Sequence, residues 1–70
     1  MSDEDFNMSM RKFLKQVGVT SQQEIEAAVR KAQEAGTLPA GKVTARMVLT
    51  IEALDMTHVV EGDIAIGDPA

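Results

Sequence analysis

The stretch VTARMVLTIE, residues 43–52, decides the fold because its apolar side chains recur with a period of two. That period is typical of a β-strand, in which successive side chains point to opposite faces. One face carries Val43, Ala45, Met47, Leu49 and Ile51. A second run, residues 57–66, repeats the alternation with the matching face on His58, Val60, Gly62, Ile64 and Ile66. The two runs predict an antiparallel hairpin with strands at about 43–52 and 57–66.

The change from odd to even positions constrains the register of this hairpin. If Ile51 pairs with His58, the turn is Leu54-Asp55 and Arg46 lies opposite Asp63, a favourable pair of charges. Leu54-Asp55 is not a preferred two-residue turn, so a longer loop is an alternative. Gly62 within the second run indicates either a β-bulge or the close approach of another element.

The residues before the hairpin follow the 3.6-residue period of amphipathic helices. Ser2 is a good N-cap, Gly18 is a natural helix stop, and a second capping signal follows at Thr20 or Ser21. These signals predict two helices, at about 3–17 and 21–35, joined as an αα-hairpin. Their apolar stripes are Phe6, Met10, Phe13, Leu14 and Val17, then Ile25, Ala28, Val29 and Ala32.

The predicted fold is therefore one α+β domain, residues 1–70, with the αα-hairpin packed on the β-hairpin. Such a chain has a thin core, because 70 residues bury only about 60% of the unfolded surface. Cysteine is absent, so no disulfide compensates. A two-stranded sheet also leaves both edges free. We expect a homodimer, formed by edge pairing or by exchange of the hairpin about a hinge at 37–42.

Composition and charge exclude several classes of protein. The formal net charge is −4, which argues against tight binding to nucleic acid, since that depends on Lys and Arg. The start of the chain is acidic, and no apolar run is long enough for a secretory signal or a membrane span. We therefore expect a cytoplasmic protein that does not enter membranes.

Residues suited to catalysis are scarce. His58 is the only histidine, and it falls on the apolar face of a strand, where a packing role is commoner than a catalytic one. Without cysteine or a second histidine, a zinc site would need carboxylates for nearly all its ligands. The acidic residues do not match the spacing of an EF-hand loop, and no glycine motif suits a phosphate. We expect no enzyme activity, no metal and no cofactor.

Three hypotheses for function remain. The first is an interaction or adaptor module that binds another protein through Met8, Val48 and Val59, which lie off the apolar faces. The second is a helix-turn-helix protein, with Gly18 in the turn and Gln22 and Gln23 facing bases. Against it, Glu24 stands where an aliphatic core residue is expected. The third is a small-molecule binder whose cavity is lined by Met10, Phe13, Met47 and Leu49.

Several segments resemble a family of short, uncharacterised bacterial proteins. They are FNMSMRKFLK at 6–15, VGVTSQ at 17–22, EIE at 24–26 and LTIE at 49–52. The resemblance covers most of the chain and is most specific in its first half. It implies a small α+β unit that forms an intertwined homodimer. The family has no known function, so the resemblance supplies no substrate or catalytic residue.

Overall fold

The computed structural model describes residues 2–67, which form one helix followed by a β-hairpin. Helix α1 spans Asp3–Ala35, strand β1 spans Gly41–Ile51, a short 3₁₀ turn covers Glu52–Leu54, and strand β2 spans Met56–Gly67. The α+β class is confirmed. The chain divides into two compact units between Leu38 and Pro39. That the two units form one domain, with helix packed on sheet, stays a prediction.

Both ends of α1 are capped as the sequence predicts. The Ser2 hydroxyl accepts a hydrogen bond from the backbone N–H of Asp5 at 3.4 Å, which satisfies one of the free donors of the first turn. Gly36 adopts the left-handed conformation, with φ of 73°. Its N–H donates to the carbonyl of Gln33, and the N–H of Thr37 donates to that of Ala32. These two bonds form a Schellman motif, which ends the helix.

The prediction of two helices, at 3–17 and 21–35, is wrong, because α1 runs without a break through Gly18. A helical glycine costs only about 1 kcal/mol relative to alanine, which neighbouring turns can offset. Thr20 does not act as a cap either. Its hydroxyl donates to the carbonyl of Gln16, one turn earlier, at 2.8 Å. This bond satisfies the side chain inside a continuous helix.

The antiparallel hairpin is confirmed, but its register lies two residues from the predicted one. Ile51 pairs with Met56 and Leu49 pairs with His58. A slip of one residue would exchange the faces of a strand, whereas a slip of two preserves them. The odd positions of β1 therefore still share a face with the even positions of β2.

The turn explains the change in register. The predicted Leu54-Asp55 turn is replaced by a four-residue loop, in which Glu52–Leu54 form a 3₁₀ turn. Asp55 closes the loop with φ of 50°, and its N–H donates to the carbonyl of Glu52 at 3.0 Å. A two-residue type I′ turn needs positive φ at both positions, which disfavours leucine. The longer loop needs it at only one residue, an aspartate that tolerates it.

Two further predictions change with the register. Arg46 lies opposite Glu61 and not Asp63, with Nε 3.7 Å from Oε1. Asp63 instead accepts a hydrogen bond from the hydroxyl of Thr44 at 3.2 Å. The predicted bulge at Gly62 is wrong, because Gly62 pairs regularly with Ala45. The pairing of the two strands is irregular instead at the start of β1, where the register shifts between Gly41 and Lys42.

No residue between 2 and 67 is buried. Even the aromatic side chains are half exposed, at 48% for Phe6 and 49% for Phe13. A folded chain normally removes such side chains from water, since covering one completely is worth about 1.5–3 kcal/mol. Neither unit by itself therefore covers its apolar face.

Candidate interaction surfaces

The largest apolar surface of the first unit runs along one side of α1, and we call it the helix stripe. Within residues 6–17 and within residues 25–32 its members recur at intervals of three and four residues, and about two helical turns separate the two groups, which places them on one side of a helix. They are Phe6, Met10, Phe13, Leu14, Val17, Ile25, Ala28, Val29 and Ala32. The aromatic side chains and both of the longest aliphatic ones, Met10 and Leu14, lie in the first half, and both alanines lie in the second. The stripe therefore protrudes at one end and is shallow at the other.

Met8 lies on the opposite side of α1 and is 72% exposed. A shallow, open depression surrounds it, lined also by Asp5, Ser9, Arg11, Lys12 and Lys15. The three basic residues follow Met8 by three, four and seven positions, so helix geometry places them beside it. We call this surface the Met8 patch. It combines an apolar centre with a basic rim.

The hairpin has an apolar inner face formed by five cross-strand pairs. They are Val43 with Ile64, Ala45 with Gly62, Met47 with Val60, Leu49 with His58, and Ile51 with Met56. Met47 and Val60 at the centre of this face are exposed. A Cβ atom added at Gly62 would meet no other atom within 4 Å. The Ala45–Gly62 pair therefore forms a shallow notch in an otherwise bulky surface.

The outer face of the hairpin brings together two of the residues that the sequence singled out. Val48 pairs directly with Val59, and both are exposed, at 51% and 42%. Residues paired in this way have Cβ atoms about 4.5–5.5 Å apart, so the two valines form one contact surface. The Arg46–Glu61 pair lies on one side of the valines along the strands. We call the two valines the valine pair.

The sequence identified Met8, Val48 and Val59 individually but missed what joins two of them and surrounds the third. The pairing of Val48 with Val59 depends on the register, which the turn prediction placed two residues away. The basic rim of the Met8 patch can be predicted from the spacing of Arg11, Lys12 and Lys15 after Met8 along a helix.

The described residues offer little for the other hypotheses. The turn on which a helix-turn-helix depends is not formed, because Gly18 is inside α1. The side chain of Gln22, expected to read bases, donates to Oε1 of Glu26 at 3.0 Å. His58 faces Leu49 across the strands. In residues 2–67, no three His, Asp or Glu side chains are grouped so as to hold a metal ion.

Residues 2–67 also contain no helix that combines the length and the apolar character needed to cross a bilayer. The 33 residues of α1 would be long enough. Charged residues recur along the whole of α1, however, with acids in its first turn and bases at Arg11, Lys12 and Lys15.

The fold and its surfaces define a small α+β protein with an amphipathic helix and a two-faced hairpin. A sequence model of a family of unknown function (DUF6494) matches residues 1–67 of the 70-residue chain. The chain therefore belongs to this family, which confirms the resemblance to a family of unknown function. No curated protein and no solved structure matches the chain.

Proposed function

We propose that the protein is a small protein-interaction module that acts as a homodimer. One observation carries the proposal: no residue from 2 to 67 is buried, although the helix stripe and the inner face are both apolar. Surfaces of this kind on soluble proteins mark contacts with another molecule. A second copy of the chain carries the same two apolar surfaces, so one partner can cover both of them.

Energetics support a second copy as the stabilising partner. An isolated helix gains most of its stability from packing of its apolar side, and an isolated two-stranded hairpin is at best marginally stable. The chain has no cysteine that could staple either unit. A dimer would cover apolar side chains in both units and hide a strand edge. It forms either by edge pairing of the hairpins or by their exchange between copies.

The surfaces that point away from these apolar faces are the proposed docking sites. The Met8 patch suits a partner segment with an apolar residue flanked by acids, because its own rim is basic. The valine pair suits a second, apolar contact beside a neutral pair of charges. Together they make the dimer an adaptor with two copies of each site.

Cysteine labelling tests whether these surfaces remain available in the dimer. The chain has no cysteine of its own, so Met8→Cys and Val48→Cys each introduce a single thiol. We expect both thiols to react with a maleimide as fast in the native dimer as in denaturant. Met47→Cys, the neighbour of Val48 on the inner face, is the matched control and should be protected.

Protection of both Met8→Cys and Val48→Cys would contradict the adaptor function, because no site would then be left for a partner. If the thiols react, immobilised wild-type protein should capture a partner from the native lysate. Charge substitutions in the Met8 patch or at the valine pair should abolish that capture without changing the mass of the dimer. Capture that survives Met8→Asp and Val48→Asp together would contradict the assignment of these sites.

Absence of enzyme activity, a cytoplasmic location and the small-molecule alternative stay predictions. No observation favours binding to DNA, because the segment around Gly18 that was expected to form the turn is part of a continuous helix.

A further inference from the structure

We propose that α1 pairs with α1 of a second copy in antiparallel orientation, with the two-fold axis near Val19. The inference rests on the proposed homodimer and goes beyond it by fixing which surfaces meet and in which direction. It is carried by the distribution of side-chain size and charge along the helix stripe.

Side-chain size divides the helix stripe into two unlike halves. The half before the middle of α1 carries the bulky Phe6, Met10 and Phe13, which are 40–49% exposed. The half after it carries Ala28 and Ala32 beside the smaller bulky residues Ile25 and Val29. An axis near Val19 places Phe6 opposite Ala32 and Met10 opposite Ala28 of the second copy. Large side chains then meet small ones towards both ends of the contact, while Phe13 meets Ile25 nearer its centre.

A parallel pair would distribute the same side chains badly. Phe6 would meet Phe6 and Phe13 would meet Phe13, while Ala28 would meet Ala28. Helices would have to lie far apart at one end and close together at the other. Protein interiors are packed too densely to leave the resulting gaps without cost.

Charge favours the same orientation. Glu24 lies on the side of α1 that carries the helix stripe, five turns after Phe6. In a parallel pair the two copies of Glu24 would meet, whereas in the antiparallel pair they lie about 15 Å apart along the axis. Like charges in contact are unfavourable. The bases at 11–15 lie on the other side of α1, in the Met8 patch, and do not enter this contact.

The helix stripe has a suitable size for a substantial part of a dimer interface. The helix stripe spans residues 6–32, about 40 Å, and a strip about 10 Å wide along it covers roughly 400 Å². Stable interfaces bury about 800 Å² on each partner. The paired helices would supply about half of that area, and the hairpins have to supply the rest.

Disulfide cross-linking tests the orientation directly, because the chain has no cysteine of its own. Met10→Cys and Ala28→Cys are prepared separately, unfolded and refolded together so that copies exchange, and oxidised gently. In the antiparallel pair position 10 lies opposite position 28, and two copies of position 10 are about 27 Å apart along the axis. A disulfide requires Cα atoms within about 7 Å, so we expect about tenfold more covalent dimer from the mixture than from either variant alone.

The matched control replaces Met10→Cys by Met8→Cys, on the opposite side of α1, and should give no cross-link with Ala28→Cys. A second pair, Phe6→Cys with Ala32→Cys, repeats the test nearer the helix ends if Met10→Cys does not fold. Circular dichroism establishes that each variant keeps its helix.

Efficient cross-linking of Met10→Cys alone would show a parallel pair and overturn the inference. Absence of cross-links in every folded mixture, with light scattering still giving a dimer, would also overturn it and leave the homodimer standing. A monomer by light scattering would contradict the homodimer itself, so the two proposals fail in distinguishable ways.

Discussion

The helix and the hairpin both expose apolar faces, but their backbone hydrogen bonds join residues at different separations along the chain. The backbone bonds of α1 join residues four apart, and each turn forms with little regard to the rest of the chain. The hairpin joins residues as far apart as Gly41 and Gly67, and its faces depend on a common register. A helix is thus tolerant of single unfavourable residues such as Gly18. Its stability as a whole nevertheless depends on what covers its apolar side.

The largest expected effect comes from a charge in the helix stripe. We expect Phe13→Asp to remove about 3–5 kcal/mol of stability, the range for losing a buried aromatic, and to convert the dimer into a monomer. Light scattering and circular dichroism measure the two losses. Met8→Asp, on the other side of α1, is the control and should change neither. Equal effects of the two substitutions would mean that the helix stripe is not covered.

A smaller effect is expected from a charge on the inner face of the hairpin. Val60→Asp should lower the free energy of unfolding by about 2–3 kcal/mol, because an unpaired carboxylate would be covered in the dimer. Val59→Asp on the outer face should lower it by less than about 1 kcal/mol. Chemical denaturation measures both. The reverse order would exchange the inner and outer faces in our account.

Gly18→Ala distinguishes a continuous helix from two helices. In a continuous helix the added methyl group meets nothing within 4 Å, so alanine should stabilise the protein by about 1 kcal/mol. If Gly18 ended a first helix in the left-handed conformation, alanine would destabilise it by a similar amount. The sign of the change in melting temperature decides between them. Gly36→Ala, at the real end of α1, is the control and should destabilise.

The loop of the hairpin gives a prediction of similar or smaller size. Asp55 holds a positive φ of 50°, so Asp55→Gly should stabilise the hairpin by up to about 1 kcal/mol, which is the relief of backbone strain less the added freedom of the unfolded chain. Asp55→Val should destabilise it, since a β-branched residue tolerates positive φ poorly. Thermal unfolding of the two variants checks the four-residue loop. A two-residue turn at Leu54-Asp55 would instead respond as strongly to Leu54→Gly.

The smallest effect belongs to the Arg46–Glu61 pair. Both side chains are more than 60% exposed, and exposed pairs contribute about 0–1 kcal/mol. A double-mutant cycle with Arg46→Ala and Glu61→Ala should give a coupling in this range, weakened by salt. The same cycle with Asp63→Ala should give less. A larger coupling to Asp63 would restore the register predicted from the sequence.

The sequence predicted the α+β class, both ends of α1 and the two faces of the hairpin. The faces could be predicted because alternation alone defines them, whatever the turn. The register could not, since it depends on the conformation of Glu52–Asp55, for which the residues allow more than one turn. The predicted helix end at Gly18 was wrong because a glycine inside a helix costs only about 1 kcal/mol relative to alanine. A local stop signal of that size does not prevent the helix from continuing. Of the candidate surfaces, Val48 and Val59 were found separately, and their contact follows only from the register.

The central claim is that a second copy covers the apolar faces of this chain. Sedimentation equilibrium of the full chain at micromolar concentration tests it most directly. We predict a mass of twice the 7.5 kDa of one chain, with dissociation on introducing Phe13→Asp but not Met8→Asp. A folded, cooperative species of 7.5 kDa at every concentration would contradict the claim.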